Sequence, residues 1–184
     1  MAGIIEKAAG EPFENFVPAR LLRPAAMSHS GVLGTADKAS QLAHGYTHGE
    51  LGWPAYLAGI PLVDEKLEPY PQLALTPPAG DAWLYSTIDD LDRWSAVMDG
   101  SDLVTAAEAA EVFTPGEGGY GYGWFIGNAF GRRRYRHTGS LPGYTSDFIK
   151  FPDDRITIVI FSNLDRAPMT HIVRNVSLIA LGMP

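Results

Sequence analysis

A chain of 184 residues, 46% hydrophobic and 19% charged, has the make-up of one globular domain or a large part of a bigger one, and not of a disordered segment. The formal net charge of -7 argues against nonspecific partnership with nucleic acid or with an anionic membrane. The absence of cysteine excludes a disulfide framework, thiolate catalysis and thiolate metal ligation.

Met1 to Lys7 lacks the basic start and long apolar run of a signal peptide, and no stretch reaches the ~18 apolar residues of a spanning helix. The chain is therefore expected to have no membrane partner. Ile4, Ile5 and Ala8 predict a short first helix that Gly10 ends. A second helix is expected to begin at Glu11-Pro12, since proline suits the first helical turn, and to run through Phe13, Phe16, Val17, Leu21 and Leu22 until Pro24 stops it. Residues 28–80 read mostly as loop, with Gly-Tyr-Thr-His-Gly at 45–49, Trp53-Pro54, Pro61, Pro69, Pro71 and Pro77-Pro78. A run of that length is often a functional loop or a lid.

The clearest helix follows. Ser86 or Thr87 can cap it, Ile88, Leu91, Trp94 and Met98 give it an apolar face, and Gly100 closes it. Asp89, Asp90 and Asp92 read as charges that favour the N-terminal end of its dipole, not as a catalytic pair. Thr105-Ala106-Ala107-Glu108 repeats the capping pattern for a short helix before Pro115. From Tyr120 the pattern becomes strand-like: an aromatic, glycine-interleaved run to Ile126, a basic run Arg133–His137, Tyr144–Phe151, and a β-branched, buried strand Ile156–Phe161. Pro152-Asp153-Asp154 supplies a hairpin turn. A last helix over about 166–181 is expected to turn Ile172, Val176 and Ile179 to one face. This order predicts an α+β fold in a single partial domain, 1–184, with a helical half 1–119 and a half of antiparallel strands plus a C-terminal helix at 120–184.

The most informative stretch is Arg136-His137-Thr138-Gly139-Ser140-Leu141-Pro142-Gly143-Tyr144. On local grounds it is a hairpin turn. At a sheet edge the same polar triplet can aim backbone N–H groups and a hydroxyl at a substrate. With Tyr122-Gly123-Trp124, Phe151-Pro152-Asp153-Asp154, Phe161-Ser162-Asn163, Gly3-Ile4-Ile5-Glu6, Gly10, Pro78-Ala79-Gly80, Tyr85-Ser86-Thr87 and Asp90-Leu91, it resembles the C-terminal portion of the serine β-lactamase and penicillin-binding-protein-like hydrolases, over nearly the whole chain and in family order.

The resemblance implies a β-lactamase-like (transpeptidase-like) fold, incomplete here because its N-terminal strands and nucleophile helix are missing. It implies that His137-Thr138-Gly139 is the third active-site motif on an edge strand, and that the Ser140 backbone N–H is one half of an oxyanion hole. His137 would help bind a substrate carboxylate or polarise the catalytic network, and Thr138 would donate a hydroxyl hydrogen bond. The family's Ser-x-x-Lys is absent: three residues after each serine stands something other than lysine. Tyr-x-Asn is absent too, Tyr144-Thr145-Ser146 being an ordinary strand segment, so the chain is expected to begin just downstream of that motif and to be inactive alone.

Other residues carry weaker signals. His44 and His48 stand at i, i+4, but Gly45 and Gly49 argue against a helix, so no metal site is expected. By resemblance Tyr46, His48 and Tyr144 are candidate substrate contacts, with solvated loop histidines as the plainer reading. Arg132-Arg133-Arg134 with Arg136 reads as a solvated strand edge before a phosphate site. A Ser140-His137-Asp147 triad is disfavoured because Ser140 and His137 lie too close on one strand end to converge. No cofactor is expected. The expected function is acyl-enzyme hydrolysis of a small-molecule ester, β-lactam or D-amino-acid peptide once the site is completed, and the expected protein partner is a second chain carrying the front half, or further copies in a homo-oligomer. The alternative is a non-catalytic relic or interaction module. An incomplete sheet would leave an open edge that invites pairing.

Overall fold

The computed structural model describes residues 1–33, 42–48, 66–70 and 84–184. The expectations for Trp53-Pro54, Pro61, Pro71, Pro77-Pro78 and Gly80 lie outside them. The described strands are β1 (Gly31–Val32), β2 (Tyr46–His48), β3 (Leu67–Pro69), β4 (Leu84–Tyr85), β5 (Phe125–Ala129), β6 (Arg132–Leu141), β7 (Tyr144–Phe151) and β8 (Ile156–Ser162). The described α-helices are α1 (Ala2–Ala9), α2 (Phe13–Val17), α3 (Ile88–Met98), α4 (Ala106–Val112) and α5 (Met169–Ala180). They fall into two compact units, Met1–Leu42 with Leu73–Ala109 and Ala43–Gln72 with Ala110–Pro184.

In the first unit α1 ends at Gly10, whose φ of 69° is the left-handed cap that glycine adopts at least cost. Glu6 Oε1 then accepts the Phe13 N–H at 2.9 Å and sets the entry to α2. Pro18 has no N–H for the helical ladder, and the chain widens there into a π-helical turn, Pro18–Leu22, in which the Arg23 N–H reaches the Pro18 carbonyl at 3.0 Å. Ala2, Phe13, Val17, Leu22, Ala25, Met27 and Val97 form the core, with Ile5, Leu91 and Trp94 packed on it. Ile4 and Ile88 are exposed, contrary to the apolar stripes expected from spacing. The inner face of α1 runs through Ala2 and Ile5, and that of α3 through Trp94 and Val97.

Thr87 caps α3 by accepting the Asp90 N–H at 3.2 Å. The Asp90 carboxylate does more than complement a dipole. It is fully buried and takes the His29 N–H, the Ser30 hydroxyl and the Arg93 guanidinium, each at 2.7 Å. It thus ties α3 to the strand β1, which pairs antiparallel with β4. Thr105 and Glu108 form the expected reciprocal cap of α4.

The second unit is built on an antiparallel sheet of order β5-β6-β7-β8. Phe130 and Gly131, both at positive φ, make the two-residue turn between β5 and β6, as a type I′ hairpin requires. Pro142 and Gly143, the latter at φ 80°, make the turn between β6 and β7. One face of the sheet buries Ile149, Phe151 and Ile158 against Val173 and Leu181 of the α5 region. Ile149 and Phe151 are completely covered, and burial of such a side chain stabilises by roughly 1.5–3 kcal/mol. The other face carries aromatics: Phe113 stacks on Tyr135 at 4.1 Å and Trp124 meets Phe148 edge-on at 5.2 Å.

Three expectations change here. β5 starts at Phe125 and not at Tyr120, because Gly123 at φ 82° and a Gly121 N–H to Trp124 carbonyl bond turn the chain first. β8 is only half-buried, since it is the outer strand of the sheet and Phe161 faces solvent. α5 buries Val173 and Ser177, while Ile172, Val176 and Ile179 point outward, Ile179 with 77% of its surface exposed. The helix carries two apolar stripes, and the sheet takes the other one.

Candidate active site

β6 has two halves with different neighbours. Arg132 to Arg136 pair with β5, and Tyr135 and Arg136 with β7 as well, but β5 ends opposite Arg136, at Phe125. From His137 onward β6 pairs with β7 alone among the described strands. The triplet His137-Thr138-Gly139 and Ser140 therefore stand on a strand edge that the short β5 opens.

The register fixes which backbone groups face that opening. Leu141 and Tyr144, three residues apart, close the β6–β7 turn as a hydrogen-bonded pair. Hydrogen-bonded and non-hydrogen-bonded pairs alternate along an antiparallel ladder. Gly139 and His137 consequently bond to β7, whereas Thr138 and Ser140 direct their N–H and C=O groups away from it. The Ser140 N–H thus points to the side that β5 has left uncovered, which is where an oxyanion donor has to point.

Side chains alternate as well. His137 and Gly139 share one face, Thr138 and Ser140 the other. His137, Thr138 and Ser140 are all exposed. The imagined Ser140-His137-Asp147 triad fails on this alternation: His137 is on the opposite face from Ser140, and buried Asp147 is held in a two-pronged ion pair by Arg136. The Arg136 guanidinium, hydrogen-bonded by that carboxylate, has its pKa raised above the ordinary arginine value despite partial burial. Arg132 and Arg133 pair with Asp154 and Asp153 of the β7–β8 turn, so they are ion-paired across the sheet and not merely solvated.

Tyr46 and Tyr144 are brought to the same end of the sheet, and His48 follows Tyr46 on β2, where it pairs with Leu67 of β3. β2 and β3 form a small ribbon, and Tyr46 bridges to Leu164 just beyond β8. The Tyr46 N–H reaches the Asn163 carbonyl at 2.8 Å, and Asn163 Nδ2 donates to the His44 carbonyl at 2.9 Å. Tyr144 donates its hydroxyl to the Ala43 carbonyl at 2.7 Å, and desolvation raises its pKa. Gly45 and Gly143 sit backbone against backbone: a β-carbon on Gly143 would come within 3.0 Å of the Gly45 Cα. Tyr144 is thus an anchor for the segment carrying Tyr46 and His48. His48 lies on a strand, not a helix, so the i, i+4 geometry with His44 does not arise. Among the described residues no group of three His, Cys, Asp or Glu forms a metal cluster.

Sequence reasoning missed Tyr120. Its hydroxyl lies 3.0 Å from His137 Nε2, and its ring packs edge-on against Phe125 at 4.7 Å. The aromatic run was visible, but the turn that brings it back to His137 was not.

Comparison with known proteins bears on the fold and the family. The chain is 29% identical to Penicillin-binding protein 4* of Bacillus subtilis (strain 168) over 170 residues, which is 89% of this chain and 37% of that protein. The octameric penicillin-binding protein homologue of Pyrococcus abyssi superposes with a TM-score of 0.79 at 23% identity, covering 99% of this chain and 40% of that one. The D-amino acid amidase of Ochrobactrum anthropi SV3, complexed with D-phenylalanine, superposes at 0.66 with 20% identity over 89% of this chain and 48% of its own. The fold is thus the α+β fold of penicillin-binding proteins and their relatives, over its C-terminal part. The Beta-lactamase family profile matches residues 1–181, and the chain belongs to that family of serine hydrolases. It spans well under half the length of the curated relative. No described helix is long and apolar enough to cross a membrane.

Proposed function

We propose that this chain supplies the third-motif wall of an acyl-transfer site that hydrolyses an ester, a β-lactam or a D-amino-acid amide through an acyl-enzyme. The observation that carries the reading is the Ser140 N–H, aimed to the open side of β6 where β5 has ended. A tetrahedral intermediate needs fixed donors where its negative charge develops, and each such donor is worth about 3 kcal/mol of barrier. His137 and Thr138 would flank the substrate there, and the ribbon with Tyr46 and His48, anchored by Tyr144, would border it. The amidase and penicillin-binding neighbours support this substrate range.

An activated hydroxyl is required for attack on the carbonyl, and no serine in this sequence has a lysine three residues on. The nucleophile and its lysine therefore come from residues outside this sequence, and the chain alone is inactive. Another chain would supply them; self-association, the state of the octameric relative, would add copies of this chain but no such serine and lysine. Steady-state assay of the isolated chain with a chromogenic cephalosporin and a nitrophenyl ester is expected to show no turnover above buffer and no labelling by a fluorophosphonate. Turnover lost in His137→Ala or Thr138→Ala would refute the inactivity. A protein containing this chain together with Ser-x-x-Lys and Tyr-x-Asn is expected to turn over, and to lose rate on Thr138→Ala.

A second reading, an interaction module without chemistry, is favoured by the outward face of α5 and the exposed Phe161 on the outer strand β8. It predicts binding of a partner with no acyl-enzyme in any assembly.

A further inference from the structure

We propose that Tyr120 is a positioning residue for His137: its hydroxyl donates to Nε2, holds the neutral imidazole in the Nδ1–H tautomer, and leaves Nδ1–H as the ring's donor for a bound substrate. The consequence for substrate rests on the reading of His137 as a site residue, but the tautomer itself does not. Tyr120 Oη and His137 Nε2 are 3.0 Å apart. A neutral imidazole has one donor and one acceptor nitrogen, and the bond made by one fixes the role of the other. A phenol is a better donor than acceptor, and an imidazole nitrogen is a better acceptor than a phenol oxygen. The favoured pairing is therefore O–H to Nε2, with the ring proton on Nδ1.

The surroundings hold this pairing in place. The Phe125 ring lies nearly parallel to the imidazole, 6.2 Å away with 23° between planes. Tyr120 meets Phe125 edge-on at 4.7 Å and also packs obliquely on His137 at 6.1 Å. The three rings thus form a triangle. The Tyr120 backbone is pinned by its carbonyl, which accepts the Gly116 N–H at 3.0 Å, and by a bridge to Phe125. Its neighbour Tyr122 is directed elsewhere, its hydroxyl donating to Glu111 at 3.1 Å. Tyr120 and Phe125 both reach the triplet from the end of the strand that stops short and opens the edge, and of the two Tyr120 brings the hydroxyl.

The test is a two-bond ¹H–¹⁵N spectrum of the ¹⁵N-labelled chain at about pH 8, where an ordinary imidazole is neutral. The His137 signals are assigned by their loss in His137→Gln. The expected native pattern has a pyrrole-like Nδ1 and a pyridine-like Nε2, the reverse of the pattern that dominates for a histidine side chain free in water. Tyr120→Phe, which keeps the ring contacts, is expected to return His137 to the free pattern while His29 and His171 stay unchanged. Phe125→Leu, which keeps the hydroxyl, is expected to retain the native tautomer. A native Nε2–H tautomer, or a His137 pattern that ignores Tyr120→Phe in a chain whose β6 and β7 amide signals are unmoved, overturns the proposal. Neither result depends on turnover, so a failure here is distinct from a failure of the acyl-transfer reading.

Discussion

Ser146 holds its hydroxyl in the space where a β-carbon on Gly139 would stand, directly opposite it in the β6–β7 register. A side chain at the third position of the triplet would have to displace that hydroxyl, whereas backbone freedom is not what glycine supplies there, since Gly139 is not among the residues at positive φ. Gly139→Ala is expected to cost about 1–3 kcal/mol by overpacking, with β6 displaced from β7 near Ser140. Ser146→Ala removes the obstructing oxygen and leaves the Ser146 Cβ at an ordinary 3.7 Å. The double variant should recover most of the loss, and a denaturant-unfolding cycle should show coupling above about 0.5 kcal/mol. Additive losses would mean that the hydroxyl is not the obstacle.

Asp90 makes the first unit sensitive to acid. Burial alone would raise its pKa, but the Ser30 hydroxyl, the His29 N–H and the charges of Arg93 and His29 together lower it below the ordinary 3.8. A folded-state pKa below the unfolded one means that stabilisation is complete above the unfolded value and is lost as pH falls through the folded one. The contribution is therefore present in full at neutral pH, begins to fall near the ordinary aspartate value of about 4, and is lost as pH drops through the lowered folded value. Asp90→Ala leaves three donors without their acceptor and is expected to cost about 3 kcal/mol or more at pH 7. Asp90→Asn should also destabilise, and should flatten the acid limb of a plot of stability against pH. An unchanged acid limb would show that the buried carboxylate is not its source.

Local pattern made part of this legible. The strand-like stretch Tyr144–Phe151 and the β-branched run Ile156–Phe161 matched their strands nearly to the residue, and Gly10, Thr87 and Thr105 marked helix ends through their own backbone chemistry. The resemblance singled out His137 to Ser140, and the short β5 then put them on an edge. What stayed hidden depends on partners far along the chain. Asp90 takes its hydrogen bonds from residues some sixty positions earlier. Tyr120 meets His137 only after a glycine turn and two strands. The helix α5 has apolar residues on adjoining stripes, and only the sheet decides that Val173 and Ser177 go inside.

Tyr144→Phe tests whether that ring anchors the ribbon. It deletes the hydroxyl's bond to the Ala43 carbonyl, and its bond with the Gly45 backbone, without changing shape, so a global loss of only about 1–2 kcal/mol is expected. The local effect should be larger. The Tyr46 and Tyr70 amides, bonded to Asn163 and Gly45, should exchange hydrogen faster, while amides of β7 hold their protection. Gly45→Ala should do the same more strongly, because its β-carbon would fall 2.9 Å from the Tyr144 ring. Equal loosening of β7 in either variant would show that Tyr144 supports the sheet and not the ribbon.

Arg136 and Asp147 make the opposite kind of contribution, one that only single substitutions reveal. Asp147 is buried on the face of Thr138, and both its oxygens are taken by the Arg136 guanidinium, from Nε at 2.8 and 3.1 Å and from Nη2 as well. Removing the carboxylate in Asp147→Ala leaves a cation on the sheet with its raised pKa support gone, and breaking such a pair costs about 3–5 kcal/mol when both partners are buried. Arg136 keeps 27% of its side chain exposed, so the lower end of that range is expected. Arg136→Lys should recover little, because an ammonium cannot reproduce the two-pronged contact. Replacing the pair together, Arg136→Met with Asp147→Leu, removes the desolvation cost of both charges and should return stability to near the native level. If the pair serves only the fold, that double variant will also leave the His137 ring spectrum as it was. If the ion pair sets the line of the strand on which Thr138 and Ser140 stand, the amide signals of those two residues will move although the unfolding midpoint does not.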